Sequence, residues 1–65
     1  MKVKDILRKL EDKKIFVEFI DNQSGASYGF YTINDLKYNV KFRNENIKKI
    51  NIQYIDNKRL LVLYI

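Results

Sequence analysis

Residues 15–20 of the chain read Ile-Phe-Val-Glu-Phe-Ile (IFVEFI) and predict a strand near the centre of a β-sheet. β-branched and aromatic side chains favour strands. Successive residues of a strand point to opposite faces, and here both faces are mostly apolar, with Val17 and Phe19 on one and Phe16 and Ile20 on the other. A strand with two apolar faces belongs inside a sheet, since an edge position would expose it to water.

The residues before this strand predict a helix over roughly 2–11 that packs on the sheet. Val3, Ile6, Leu7 and Leu10 follow the i, i+3, i+4, i+7 spacing that places apolar side chains on one helical face. A helix of this length is marginal on its own in water. It therefore needs an apolar surface to lie on, and the sheet supplies one.

The chain after residue 20 predicts further strands linked by turns. Turn-forming residues fill 21–25, and Asp56-Asn57 predicts a tight hairpin. Further strands are expected over 28–33, 37–43, 47–55 and 59–65. In the middle two of these, the side chains expected to face the core are Tyr38, Val40, Phe42, Ile50, Ile52 and Tyr54.

Turn signals at intervals of about ten residues are typical of hairpin-linked antiparallel sheets. The expected fold class is therefore α+β, with one N-terminal helix packed on a four- or five-stranded antiparallel sheet of hairpins. A chain of 65 residues has room for one domain, so we expect residues 1–65 to form a single unit.

The composition excludes much of catalytic chemistry. The sequence contains no His, Cys, Pro or Trp, which excludes disulfides, thiolate or imidazole metal sites, and His- or Cys-based catalysis. Its eight carboxylates lack the spacing of a catalytic pair or a Ca²⁺ loop. We therefore expect a protein that is not an enzyme and uses no cofactor or metal. No apolar run reaches the roughly 18–20 residues that span a bilayer, so we expect no membrane partner and a cytoplasmic location in a bacterial host.

The positive charge is concentrated in the second half of the chain. The net charge is +5, and residues 36–65 hold seven basic residues against two acidic ones. On a 37–43/47–55 hairpin, the outward face would carry four cations and no carboxylate, which suits phosphates or an acidic protein surface. We call this predicted surface the basic sheet face; it consists of Lys37, Lys41, Arg43, Lys49, Asn39 and Asn51. An ordinary solvated sheet face explains the same pattern.

Two further stretches are candidates for contact with a partner. Tyr28 and Tyr31 follow a flexible turn, and tyrosine is enriched in the cores of interfaces; the alternative is that they cover the core. The C-terminal strand is apolar on both faces. It lies either between two strands or at an edge that another chain covers, and the second case implies a homodimer through this strand.

In layout, the chain resembles the short helix-then-sheet proteins of phages and prophages of low-GC bacteria. The resemblance rests on MKVKDILRKL at residues 1–10, the strand and polar turn that follow, and the pattern IDNxxLxVxxI at residues 55–65. That class includes anti-CRISPR inhibitors, which bind and block a larger host complex. Lys, Asn, Ile, Tyr and Phe, whose codons are A/T-rich, make up 35 of the 65 residues, in keeping with such a source.

Three functions stay open at this point. The leading hypothesis is a small non-enzymatic phage or mobile-element protein of the anti-CRISPR type, which inhibits a host macromolecular complex by steric blockade through the basic sheet face. The first alternative is a small nucleic-acid-binding regulator that uses the same face. The second is an oligomer-forming structural or accessory protein of a phage.

Overall fold

Three short helices and four strands form the part of the chain that the structure, a computed structural model, describes: residues 1–10 and 14–65. In chain order the elements are α1 (Val3–Lys9), β1 (Phe16–Ile20), β2 (Ser27–Thr32), α2 (Ile33–Leu36), α3 (Val40–Arg43), β3 (Lys49–Ile55) and β4 (Lys58–Tyr64). The α+β class and the N-terminal helix are confirmed. Residue 11, where the sequence pattern would end that helix, lies outside the described residues.

Helix α1 forms for the reasons that its sequence indicates. Val3 and Leu7 are buried and belong to the core. At the start of the helix, the Asp5 carboxylate accepts the backbone N–H of Lys2 at 3.0 Å, and its negative charge suits the positive end of the helix dipole. Arg8 and Lys9 occupy the last turn, where positive charge is favourable.

The sheet has the strand order β2-β1-β4-β3. β1 pairs antiparallel with β2, and β3 pairs antiparallel with β4, but β1 and β4 run parallel. The prediction of an all-antiparallel sheet is therefore wrong. The physical reason is the apolar character of β4, in which four successive residues, Leu60 to Leu63, are all buried. Such a strand exposes least surface in the middle of the sheet, so it lies between β1 and β3 rather than at an edge.

The strand expected over 37–43 is also absent: α2 ends at Leu36, a turn follows, and α3 occupies Val40–Arg43. At the start of α2, the Thr32 hydroxyl accepts the N–H of Asp35 at 3.1 Å, and the Asp35 carboxylate accepts the N–H of Thr32 at 3.0 Å. At the start of α3, the Asn39 side chain accepts the N–H of Phe42 at 3.1 Å. These caps supply hydrogen bonds that compete with a sheet ladder, and the alternating pattern of the segment does not outweigh them.

The aromatic ring of Phe42 attaches α3 to the sheet. It stacks on the fully buried ring of Phe19, with centroids 4.4 Å apart and planes 5° from parallel. Tyr31 meets both rings edge-on, at 5.7 Å from Phe19 and 5.3 Å from Phe42. Around them lies a core of buried residues from both layers: Val3, Leu7, Ile15, Val17, Leu36, Leu61 and Leu63.

Strand β3 is exposed along its whole length. Ile50 and Ile52 pair with Leu63 and Leu61, so their side chains point to the side of the sheet that carries the helices. In the described chain, however, no helix covers β3. Ile50, Ile52 and Tyr54 are therefore 46%, 55% and 72% exposed, and the prediction that they face the core is wrong.

The helical assignment of 37–43 is tested by comparing two aromatic residues of this segment. Replacing Phe42 by Ala removes the ring that stacks on Phe19, and we expect a loss of about 2 kcal/mol or more in the free energy of unfolding. Tyr38 is 81% exposed, so Tyr38→Ala should change that free energy by less than about 0.5 kcal/mol. Urea denaturation measures both. Equal losses would indicate the alternating strand, in which both rings face the core.

Acid should destabilise the fold through two carboxylates. Hydrogen bonds from the backbone N–H and hydroxyl of Thr32 hold the pKa of Asp35 below its ordinary value of 3.8. The Ser24 hydroxyl, followed by the N–H of Gln23, does the same for the pKa of Asp21. A lowered folded-state pKa stabilises the protein above the unfolded value, and this contribution is lost as the pH falls through the folded value.

We expect the melting temperature to fall as the pH is taken below about 3.8. A variant carrying both Asp21→Asn and Asp35→Asn should melt lower at neutral pH and lose less stability on acidification. Thermal scans by circular dichroism across this pH range measure both. If the variant and the unmodified chain lose the same stability on acidification, the two carboxylates are not the origin of the acid sensitivity.

Candidate functional site

Three cations from three different helices line one cleft of about 200 Å³. Arg8 comes from the last turn of α1, Lys37 caps the C-terminus of α2, and Arg43 ends α3. Asn34 also lines the cleft, whose apolar walls are Leu7 and Ile33. We call Arg8, Asn34, Lys37 and Arg43 the basic cleft. It exists because the segment after β2 folds back as helices beside α1.

The described residues that line the basic cleft carry positive charge only. Among the described residues no carboxylate lines it, and none of its three cations is in an ion pair. Arg43 is half-buried, so its guanidinium is less completely screened by water than a fully exposed one. A recess lined by a single sign of charge focuses the electrostatic field and attracts anions.

The side-chain types in the cleft suit an oxyanion. A guanidinium presents a planar fork of donors that matches a carboxylate or a phosphate, while an ammonium adds a compact charge. The Asn34 amide offers further hydrogen bonds. The arrangement can therefore bind a carboxylate or phosphate group, and a bound anion would also relieve the repulsion among Arg8, Lys37 and Arg43.

The structure gathers only part of the basic sheet face. Lys37 and Arg43 meet in the basic cleft, but Lys41 lies on α3 beside Tyr28 and Glu45. The Asn39 amide is used as the N-cap of α3. Lys49 and Asn51 lie on β3. The basic sheet face therefore does not form as one surface, because its first half is helical.

The two predicted tyrosines have different environments. Tyr31 is half-buried against Phe19 and Phe42, and its hydroxyl donates to the backbone carbonyl of Tyr28 at 3.2 Å. Tyr28 is 50% exposed, with its ring 6.1 Å from that of Phe42. Tyr31 therefore supports the aromatic core, while Tyr28 is left accessible to a partner.

We call the side of the sheet opposite the helices the open face. A second recess lies on it. A cleft of about 200 Å³ near the β3–β4 turn has apolar walls formed by Phe16, Phe30, Ile55 and Leu60. Lys58 lies at its rim, with the ammonium nitrogen 5.9 Å from the centre of the Phe16 ring. Phe30 is 62% exposed, so this cleft offers apolar contact area with a cation beside it.

Sequence reasoning missed Arg8, Phe16, Phe30 and Lys58. For the two phenylalanines a signal was present, since a single layer of helices covers one face of a sheet and leaves apolar side chains on the other exposed. No signal in the sequence identified Arg8, because its position in the cleft depends on where α2 and α3 pack.

Among the described residues, no group of three or more Asp, Glu, His or Cys side chains is placed to hold a metal ion. None of the described helices combines the length and the apolar character needed to cross a membrane. No protein-family model, curated protein or solved structure matches the chain.

The basic cleft should bind a small oxyanion. We expect sodium sulfate to raise the melting temperature more than sodium chloride does at equal ionic strength, because a ligand at ten times its Kd stabilises the folded state by about 1.4 kcal/mol. The variant carrying Lys37→Gln and Arg43→Gln should show a smaller excess than the unmodified chain, since only the general stabilising effect of sulfate then remains.

The matched control carries Lys41→Gln and Lys49→Gln, which remove the same charge outside the cleft. Thermal scans with each salt compare the three proteins. An excess that is as large in the first variant as in the unmodified chain, or that falls equally in the control, would rule out the basic cleft as the site.

Proposed function

We propose that the chain is a small non-enzymatic binding protein that seats its basic cleft on an acidic patch of a larger host protein complex and blocks that complex sterically. The observation that carries the proposal is the convergence of Arg8, Lys37 and Arg43 at one cleft that no carboxylate lines among residues 1–10 and 14–65. Such an arrangement is complementary to a cluster of carboxylates, and charge complementarity speeds encounter and selects the partner.

An exposed tyrosine beside the cleft adds to this proposal. Tyr38 is 81% exposed, and the ammonium nitrogen of Lys37 lies 5.6 Å from the centre of its ring. Tyr and Arg are among the residues that most often dominate the binding energy of protein interfaces. Tyr38 would supply the apolar contact, and the cleft would supply the charge. Together they would form a compact docking surface.

The acidic partner is favoured over a nucleic acid because the cations do not form a continuous track. Glu45 adjoins Lys41 on one side of the helices, and Glu18 lies on the open face of the sheet. A single-strand binder needs a positively charged groove that follows the phosphate backbone. A cleft of about 200 Å³ instead suits one or two carboxylates.

Nucleic-acid binding is retained as the second candidate because cations lie beside exposed aromatic rings at two places. Lys37 is next to Tyr38, and Lys58 is next to Phe16. Aromatic rings beside cations are the elements on which single-stranded bases stack.

The biological setting follows from the resemblance in layout to small phage and prophage proteins. It supports an inhibitory role of the anti-CRISPR type in the cytoplasm of a bacterial host. Steric blockade needs no catalytic group, in agreement with a sequence that contains no His or Cys.

Binding to two defined polyanions tests the proposal. Labelled poly-glutamate and labelled oligo-deoxythymidine of equal charge are titrated with the protein, and fluorescence anisotropy gives each Kd. We expect tighter binding of poly-glutamate and a loss of more than about tenfold in the variant carrying Lys37→Glu and Arg43→Glu, since opposite charges become like charges. The control carrying Lys41→Glu and Lys49→Glu should retain most of the affinity.

Tighter binding of the oligonucleotide, with a Kd that rises steeply with salt, would favour the second candidate. Equal loss in both charge-reversed variants would show that net charge rather than the basic cleft governs binding.

A further inference from the structure

Strand β3 presents a regular free edge to solvent. It pairs with β4 on one side. The N-terminus pairs with the residues just before β3, where Ile47 donates to the Met1 carbonyl and Lys2 bridges to Asn46, but in the described chain no strand pairs with the outer side of Lys49–Ile55. The opposite edge of the sheet, β2, is irregular: its register with β1 shifts next to Gly29, which has a φ of +105°. Such a bulge twists an edge away from further pairing. The two edges therefore differ, and β3 is the one suited to accept another strand.

The hairpin turn determines which backbone groups of β3 point outward. Asp56 and Asn57 have φ values of 51° and 63°, as in a two-residue type I′ turn. The residues that flank such a turn, Ile55 and Lys58, form a hydrogen-bonded pair, and bonding then alternates along the strand. The N–H and C=O groups of Ile50, Ile52 and Tyr54 consequently point away from β4, toward the free edge.

The side chains of the same three residues are apolar and exposed. Ile50, Ile52 and Tyr54 share the helix-bearing side of the sheet, where no helix covers them in the described chain, and about half or more of each side chain is exposed. An edge with outward backbone groups and an exposed apolar row is a template for strand addition.

We propose that this edge pairs with the same strand of a second copy, antiparallel and about a two-fold axis at Ile52. Ile52 then faces its own counterpart, and Ile50 of each copy faces Tyr54 of the other. All three residues have outward N–H and C=O groups, so the pairing makes six backbone hydrogen bonds. The two four-stranded sheets become one sheet of eight strands.

The pattern of side chains on β3 is complementary to itself in this register. On the open face, Asn51 meets Gln53 of the other copy, and amides bond well to each other. Lys49 meets Ile55, so the one charge on the strand avoids a like charge. Sliding the pairing by two residues either way keeps the hydrogen-bond pattern but leaves one residue of the apolar row unmatched.

A second copy of β3 fits the edge better than an unrelated strand. In this register, each residue of β3 faces a residue of suitable chemistry in the other copy. The pairing is also isologous, so it closes at two copies and does not propagate. Each copy carries +5, and this repulsion predicts that the dimer strengthens as salt is added. Binding of an acidic partner at the basic cleft has the opposite dependence, so the two interactions are separable.

Sedimentation velocity over roughly a hundredfold range of protein concentration tests the proposal, because a reversible dimer follows mass action. We expect the unmodified chain to pass from monomer to dimer. Ile52→Lys and Ile52→Glu each place like charges at the two-fold axis, and the dimer Kd should rise more than about tenfold. Mixing the two variants should restore a dimer, since an ammonium then faces a carboxylate.

Val40→Lys is the matched control. It adds the same charge at an apolar residue of α3 that is 67% exposed, and we expect its dimerisation to match that of the unmodified chain. Circular dichroism confirms that each variant is folded. Ile52→Pro gives a second variant, since it removes an outward N–H without breaking a hydrogen bond to β4, and it should also be monomeric.

A chain that stays monomeric at every concentration would overturn the proposal. Species larger than a dimer would overturn the closed two-fold arrangement. Failure of the mixed variants to associate would overturn the axis at Ile52, even if the unmodified chain dimerises.

Discussion

The parallel pairing of β1 with β4 is the interaction on which the rest of the structure depends. It places Val17 and Phe19 beside Leu61 and Leu63 on the same side of the sheet, and all four are buried. These side chains form the floor on which the helices lie. Because β4 takes the central position, β3 is displaced to the edge, and the segment between β2 and β3 has no position in the sheet.

The surfaces of the molecule follow from this arrangement. The segment without a strand position folds into α2 and α3, held by the stacking of Phe42 on Phe19. Docking of α3 near α1 brings Arg43 toward Arg8 and creates the basic cleft. The described helices cover one side of β1 and β4, so Phe16 and Phe30 on the open face remain exposed, as does the edge of β3. One choice of strand order therefore produces a recess lined by cations and a free edge.

The sequence predicted the helix, strand and turn that depend only on residues close together along the chain. The apolar spacing of Val3 and Leu7 indicated α1, the IFVEFI stretch indicated β1, and Asp56-Asn57 indicated the hairpin turn. The 37–43 segment was assigned to a strand because Tyr38, Val40 and Phe42 alternate with polar residues. The Asn39 side chain favours a helix there instead, because it caps α3. A capping residue inside a short alternating pattern is easily missed.

The position of β4 could not be read from turn spacing, because parallel pairing joins residues about 44 apart along the chain, such as Phe16 and Leu60. The residues that line the candidate site also come together through contacts between distant parts of the chain, which turn spacing does not reveal. Lys37 and Arg43 line one cleft, but they do so beside short helices and not on the predicted hairpin face, and Arg8 joins them only through tertiary packing.

The measurement that tests the central pairing most directly is a set of backbone nuclear Overhauser effects between β1 and β4. The parallel register predicts contacts that advance together along both strands, from Phe16 with Leu60 to Ile20 with Tyr64. Contacts that run in opposite directions, or contacts joining β2 to residues 37–43 in place of the β1–β4 set, would contradict the account.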